Sequence, residues 1–261
     1  AGLGIGGSAI ALSSQDTGSG ATANRDQAVI QAVLLAVLVG IPFMMFGWFF
    51  STAAIAVLGA EPAVIRIGAE YLGIVMMAAP IINLTFVGAS ILQGAGDTRT
   101  PMIINVCANT TNIILTLMFA FGIGAVPALG VTGIAFGTVI GESLAATLFL
   151  FAIYRPQSSI TLVRPTNTNI TRQLLAISTP RFLEGVTTIL ITLPFNAILL
   201  GFGTEVNAAY HIGRRLFQQI IAPFNRGYNI ATNVMVGQAL GQDRSAYGYT
   251  IGNTMATLSA I

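Results

Sequence analysis

The chain has no lysine, one cysteine and one tryptophan, and only 8% of its 261 residues are charged. A soluble domain of this length carries roughly a quarter charged residues. The deficit excludes an ordinary water-facing surface. A chain held in a bilayer needs no such surface, but it must satisfy its backbone polar groups internally, as helices or as a closed barrel. The lone Cys107 lies in an apolar run, so no internal disulfide forms and the redox compartment is not indicated. Enzyme signatures are also missing: there is no HExxH, GxSxG, P-loop, DDxxD pair or Cys/His cluster. The chain therefore reads as a non-enzyme without a bound cofactor, and nothing in it supports nucleic acid binding. All eleven basic residues are arginine, which we read as genome base composition.

What is present is apolar length. Mean hydropathy is +0.79, and the apolar runs reach the roughly 20 residues a membrane helix needs. Alternating ten-residue segments, the mark of a barrel, are absent, so the expected fold is all-α and polytopic. Ala1–Leu12 reads as the tail of a helix and Ser13–Asp26 as a polar loop. Spans follow near Ala28–Leu58, Ala63–Leu92, Pro101–Ile123, Val131–Tyr154, Arg172–Leu200 and Asn207–Val236, with a further one starting near Tyr247. Pro42, Pro80, Pro194 and Pro223 fall inside spans, where proline kinks a helix. The polar stretch 156–171 separates helices within 1–155 from helices within 172–261.

Arginine alternates between loops. Arg25, Arg99, Arg155 with Arg164, and Arg244 fall in every second loop. The positive-inside rule places the loops with Arg25, Arg99, Arg155–Arg172 and Arg244 in the cytoplasm of a multi-pass plasma-membrane protein. An internal repeat is also visible. Gly4–Gly18 can be laid on Gly227–Gly241, matching Gly4 to Gly227, Gln15 to Gln238 and Gly18 to Gly241. That pattern fits a two-lobed transporter built from parallel repeats.

Helical phase marks polar faces within the apolar spans. Asn105, Asn109, Asn112 and Thr116 recur at steps of four, three and four, which share one face at about 100° per residue. Such a stripe avoids lipid, and either lines a cavity or ion site or bonds a neighbouring helix. His211, Arg215, Gln218, Arg226, Asn229 and Asn233 form a longer stripe, read as cavity lining. Two acids lie within spans: Glu142, and Glu184 with Thr188 and Thr192 on its face. An acid in low dielectric either exchanges a proton, binds a cation, or pairs with an arginine such as Arg181 or Arg226.

Several ordered pieces resemble the multidrug and toxic compound extrusion (MATE) family. The turn Leu92–Pro101 (LQGAGDTRTP) is similar to the loop joining the family's fourth and fifth helices. Its Gly94 and Gly96 suit a turn, Asp97 and Thr98 a cap, and Pro101 a helix start. Asn112–Thr116 and Gly130–Thr138 resemble the fifth helix and the start of the sixth. Ser178–Glu184, Ala208–Arg215 and Val236–Gly241 resemble parts of the seventh and eighth.

The resemblance implies a two-lobed bundle of twelve helices, about six of them complete here, running from the end of helix two into helix nine. It is similar to the DinF-like, archaeal type. It also implies a monomeric exporter of organic cations or amphipathic compounds, driven by Na+ or H+ through alternating access. In the DinF-type branch a cation site uses an Asn and an Asp of helix five, a Thr of helix six and an Asp of helix one. Asn112 and Thr138 match, Thr116 replaces the helix-five Asp, and the helix-one Asp falls outside the chain. Glu184 and Glu142 thus become candidates for ion coupling. The alternatives are a flippase for lipid-linked precursors, which prefers a larger and more cationic cavity, and a membrane-embedded enzyme.

Overall fold

The computed structural model describes residues 2–20, 22–57, 62–124, 126–155 and 168–259. Among them the regular elements are helices: α1 (Gly2–Ser19), α2 (Thr22–Ala56), α3 (Pro62–Met77), α4 (Ala79–Gly94), α5 (Arg99–Phe121), α6 (Gly130–Tyr154), α7 (Thr168–Gly201), α8 (Thr204–Ile220), α9 (Ala222–Gly241) and α10 (Ser245–Ser259). Among the described residues, four stretches are long and apolar enough to cross a membrane: Asn24–Ala56, Arg99–Phe121, Gly130–Tyr154 and Thr168–Asn196. The pair α3 and α4, bent by 50°, makes a fifth if it is one span.

The interior mixes alanines with larger apolar side chains such as Ile91, Phe149 and Ile153. Ala28, Ala32 and Ala36 are buried at steps of four along α2, while Trp48 and Phe49 on the same helix are each 67% exposed. In lipid, burying a large apolar side chain brings little gain, whereas small residues let helix backbones approach. The expected loop Ser13–Asp26 is mostly helical instead. Ser14 donates to the Ala11 carbonyl at 3.0 Å and Thr17 to the Ser13 carbonyl at 2.6 Å. Hydroxyls bonded back to their own helix let this polar segment extend α1 and be buried. The expected linker also shrinks, because α7 already starts at Thr168; residues 156–167, including Arg164, lie outside the described residues.

Prolines act unequally. The expected span Ala63–Leu92 is broken at Ala78, two residues before Pro80. The expected continuous span Asn207–Val236 is likewise two helices, parted at Ile221 just before Pro223. Proline lacks an N–H and crowds the preceding turn, so both helices restart with it in the first turn. Pro42 in α2 and Pro180 and Pro194 in α7 remain inside continuous helices.

The α4–α5 turn uses its residues differently from the expectation. Gly96 takes φ +89, the left-handed region that favours glycine. Gly94 stays helical, and its role is close approach: a Cβ there would fall 2.8 Å from the Ser13 Cβ of α1. The Asp97 carboxylate accepts the Thr100 amide at 3.0 Å, while Thr98 makes no side-chain cap bond. Burial alone would raise the Asp97 pKa. Hydrogen bonds from the Thr100 side chain and from the Thr100 and Arg99 amides, with the field of Arg155, hold it below the ordinary value.

Helices α1 and α9 pack together in a reciprocal way. A Cβ at Gly18 would fall 2.8 Å from the Gln238 Cα, and one at Gly241 would fall 2.9 Å from the Gln15 carbonyl carbon. These four residues are the pairs that the internal repeat equates, with partners exchanged. A Cβ at Gly237 would fall 2.9 Å from the Cβ of Ser14, its own repeat equivalent. Self-complementary exchange of this kind is the signature of a twofold contact, here a pseudo-twofold within one chain. Elsewhere the two halves meet through Ser8 and Ser178 (Oγ to Oγ, 3.0 Å) and through Thr171, which donates to Gln31 at 2.7 Å.

Candidate functional site

A cavity of about 1070 Å3 lies between the helices of 1–155 and those of 168–259. It is at the upper end of the roughly 300–1,000 Å3 typical of ligand sites. The first half contributes Gly4, Gly7 and Ile10 of α1, residues of α4 including Phe86 and Gln93, Asn105 of α5 and Glu142 of α6. From the second half come Arg181, Glu184, Gly185 and Thr188 of α7, Phe217 of α8, and Asn225, Arg226, Asn229 and Asn233 of α9.

Helical spacing explains the second wall. Arg181, Glu184 and Thr188 stand at steps of three and four, as do Arg226, Asn229 and Asn233. Thr188 donates to the Glu184 carbonyl at 2.8 Å, and Asn229 to the Asn225 carbonyl at 2.9 Å. On the first wall, the Thr85 hydroxyl of α4 is shared between the Ile81 carbonyl of its own helix at 3.2 Å and the Glu142 carbonyl of α6 at 3.3 Å. Among the described residues, no ion pair within 4.0 Å joins Glu142 or Glu184 to Arg181 or Arg226.

Seven of the residues singled out by the sequence therefore share the cavity: Asn105, Glu142, Glu184, Thr188, Arg226, Asn229 and Asn233. The α5 stripe divides. Asn105 reaches the cavity, and Asn109 is exposed and donates to the Asn105 carbonyl at 2.8 Å. Asn112 and Thr116 instead meet α6, where Gly133, Gly137 and Gly141 make room. A Cβ at Gly141 would stand 2.8 Å from the Asn112 Cβ, and one at Gly137 would stand 2.7 Å from the Thr116 nitrogen. Close backbone approach over small residues spaced by four is a common membrane packing mode. Thr138 donates to the Ile134 carbonyl at 3.0 Å. The Thr116 Oγ1 is buried with no hydrogen-bond partner, which is rare for a buried hydroxyl.

The α8–α9 stripe also parts, because the break at Ile221 ends the common helical phase. Arg215 and Gln218 are exposed on α8 and outside the cavity lining. His211 stands edge-on to Tyr210 at 5.5 Å, and Tyr210 meets Phe195 of α7 at 5.3 Å. Arg181 is a cavity residue in its own right, although the sequence suggests it only as a counter-ion. The available signal was its place three residues before Glu184, on the same face. Gln93 was missed because it belongs to no stripe, whereas Asn225 stands four residues before Asn229 and seven after Gln218, so helical phase could have found it.

The MatE family model matches residues 1–118. The probable multidrug resistance protein NorM of Thermotoga maritima is 30% identical over 66% of this chain and 37% of its own length. The probable multidrug resistance protein YoeA of Bacillus subtilis is 25% identical over 92% of this chain and 53% of its own length. The match thus spans about half the length of these curated relatives or less. A MATE crystal structure in the bent conformation superposes with a TM-score of 0.88 at 18% identity, over 98% of this chain and 57% of that one, which bears on the fold. Polytopic helices, a polar cavity between two halves and these relatives agree: the chain belongs to the MATE family of multi-pass membrane proteins.

Proposed function

We propose that this chain forms the core of a secondary active exporter, in which inward movement of Na+ or H+ drives extrusion of an amphipathic organic molecule by alternating access. The observation that carries this reading is the cavity itself. An apolar bundle has no packing reason to keep about 1070 Å3 lined by two acids, two arginines and several carboxamides. Relatives named as multidrug resistance proteins support an exporter.

On this reading the loops with Arg25, Arg99, Arg155–Arg172 and Arg244 are cytoplasmic in a plasma-membrane protein. The reciprocal α1–α9 contact then closes the cytoplasmic end. Coupling is assigned to Glu184 and Glu142 in the cavity, with Asn112, Thr116 and Thr138 as the other candidate cation ligands. The whole protein works as a monomer in contact with lipid.

The test is ethidium efflux from cells lacking their own drug pumps and expressing the full-length gene product, with a sodium or a proton gradient imposed separately. Export driven by one gradient supports the antiporter and names its ion. No export with either, from protein shown to be in the membrane, sinks the reading and turns attention to a flippase. Glu184→Gln should cut coupled export severely; unchanged export at equal expression removes Glu184 from coupling.

A further inference from the structure

We propose that Arg181 is a positioning residue with two seats: over Gly7 of α1, where it holds the two halves together as in this structure, and beside Glu184, which claims it whenever that acid is charged and free. The proposal rests on the exporter reading of the same cavity and names the link between its coupling acid and the closure of the bundle.

The halves meet along a seam of α1 and α7 made from small groups. Gly4, Gly7 and Ser8 share one face of α1 at steps of three and four. A Cβ at Gly4 would fall 3.2 Å from the Ser178 carbonyl oxygen and 3.8 Å from the Arg181 Cβ. Ser8 meets Ser178, Oγ to Oγ, at 3.0 Å. At Gly7 the three atoms nearest the place of a Cβ are Nη1, Cζ and Nε of Arg181, with Cζ at 2.7 Å and Nε at 3.2 Å. The guanidinium thus fills the space that any other side chain at this position would take. Those three atoms belong to the flexible end of one side chain, so Gly7→Ala displaces the guanidinium while the helix backbones stay in place.

Glu184 stands three residues after Arg181, within the reach of an i, i+3 pair. Both line the cavity, yet no ion pair within 4.0 Å joins them among the described residues. Charges inside a membrane protein are costly to leave unpaired, so an arginine that passes over an acid one turn away has another use. The seat on Gly7 keeps the guanidinium beyond ion-pair distance of Glu184, so occupying one seat vacates the other. A proton or sodium ion on Glu184 removes its pull and returns Arg181 to Gly7. A bare carboxylate draws Arg181 off α1 and loosens the seam. The other charged groups lining this space are Glu142 of α6 and Arg226 of α9, and neither pairs with Arg181 or Glu184 within 4.0 Å among the described residues. Of the described helices packed against α7, α1 gives the cavity Gly4, Gly7 and Ile10, α2 gives it nothing and α8 gives it Phe217. None of these competes for either charge.

The experiment uses the full-length gene product in lipid nanodiscs, with Cys107 and any further cysteine replaced by serine. Ser8→Cys and Ser178→Cys then place two sulfurs at the seam, where a small approach gives the roughly 2.0 Å of a disulfide. The readout is the initial rate of oxidative cross-linking in one alkaline, sodium-free choline medium, which leaves Glu184 charged and free. Glu184→Gln should raise that rate at least about fivefold, the lower end of the usual coupling between two sites. Arg181→Gln should abolish the rise, and Arg181→Lys should recover part of it. Gly7→Ala should lower the rate, and should lower it no further once Arg181→Gln is present, because the guanidinium is what it displaces. If Arg181→Gln does not fold, Gly7→Ala carries the test alone: with no seat left for Arg181, Glu184→Gln should give no rise.

No rise in Glu184→Gln overturns the proposal, and so does a rise that survives Arg181→Gln or Gly7→Ala. A rise that Arg226→Gln abolishes and Arg181→Gln spares gives the partnership with Glu184 to Arg226, and overturns it too. Gradient-driven ethidium export without the rise removes the two seats and leaves the exporter. The rise without gradient-driven export removes the exporter and leaves the two seats.

Discussion

Helices α6 and α7 each carry one of the cavity acids, and they treat glycine in opposite ways. On α6, Gly133, Gly137 and Gly141 press against α5 so closely that any Cβ would collide with Phe119, Thr116 or Asn112. On α7, Gly185 lines the cavity and a Cβ there would meet no atom within 4 Å. The first kind of glycine is packing, and the second is open space. Glu142 therefore stands on a helix packed against three neighbours, α3, α4 and α5, whereas Glu184 stands on a helix whose cavity face is exposed. On α6 the glycines serve a packed interface, whereas beside Gly185 the α7 wall faces open space.

The largest effect should separate these two kinds of glycine. Gly141→Leu should destabilise the protein by at least about 1–3 kcal/mol, the usual cost of overpacking, and lower the thermal unfolding midpoint in detergent. Gly185→Leu should leave that midpoint unmoved and reduce efflux by filling the cavity. If both variants lose the same stability, the distinction between the two walls fails.

A second effect concerns the pseudo-twofold contact. The paired substitutions Ser14→Cys and Gly237→Cys bring two Cβ atoms close enough to bond after a small shift, since a disulfide needs about 3.5–4.5 Å between them. Oxidation should cross-link the two positions and arrest efflux, and a reductant should restore it. Cross-linking that leaves efflux intact would show that α1 and α9 need not part.

The smallest effect lies at the α4–α5 turn. Asp97→Ala removes the acceptor of the Thr100 amide and should cost about 1 kcal/mol, as loss of a helix cap does. The Asp97 pKa is depressed, so its stabilisation is complete above the ordinary value of 3.8 and is lost as pH falls through the lowered folded value. The acid side of the stability curve should lose that component in Asp97→Ala. A variant with an unchanged acid limb would show that the cap contributes nothing to stability.

Much of the fold was legible because the signals are local. Apolar length located the helices of the described residues to within a few positions, apart from the Ser13–Asp26 segment and the breaks at Ala78 and Ile221. That segment is helical because serine and threonine hydroxyls bond to α1 carbonyls, a choice composition does not reveal. Proline content also left open which helices break. Pro80 and Pro223 begin new helices, whereas Pro42, Pro180 and Pro194 stay inside continuous ones. Gly40 is a case in point: a Cβ there would stand 2.6 Å from the Pro80 nitrogen, so the bend at Ala78 goes with a close approach of α2.

The site was half legible for a similar reason. Phase along α5 places Asn105, Asn112 and Thr116 on one face, but a straight face can meet two neighbours along its length. Asn105 meets the cavity, while Asn112 and Thr116 meet the glycines of α6. Phase along α8 and α9 failed at Ile221, so His211, Arg215 and Gln218 part from Arg226 and Asn229.

By itself, the sequence determined that this chain lives in a membrane as helices. Backbone groups in lipid must bond within their own segment, and the length of an apolar run is a local property. It also carried the repeat that brings Ser14 onto Gly237. Only the tertiary structure decided which polar face lines the cavity and which is covered by glycine, and only it brought Arg181 across to Gly7. Those choices depend on which helix stands opposite, and the phase of one helix does not contain its neighbour.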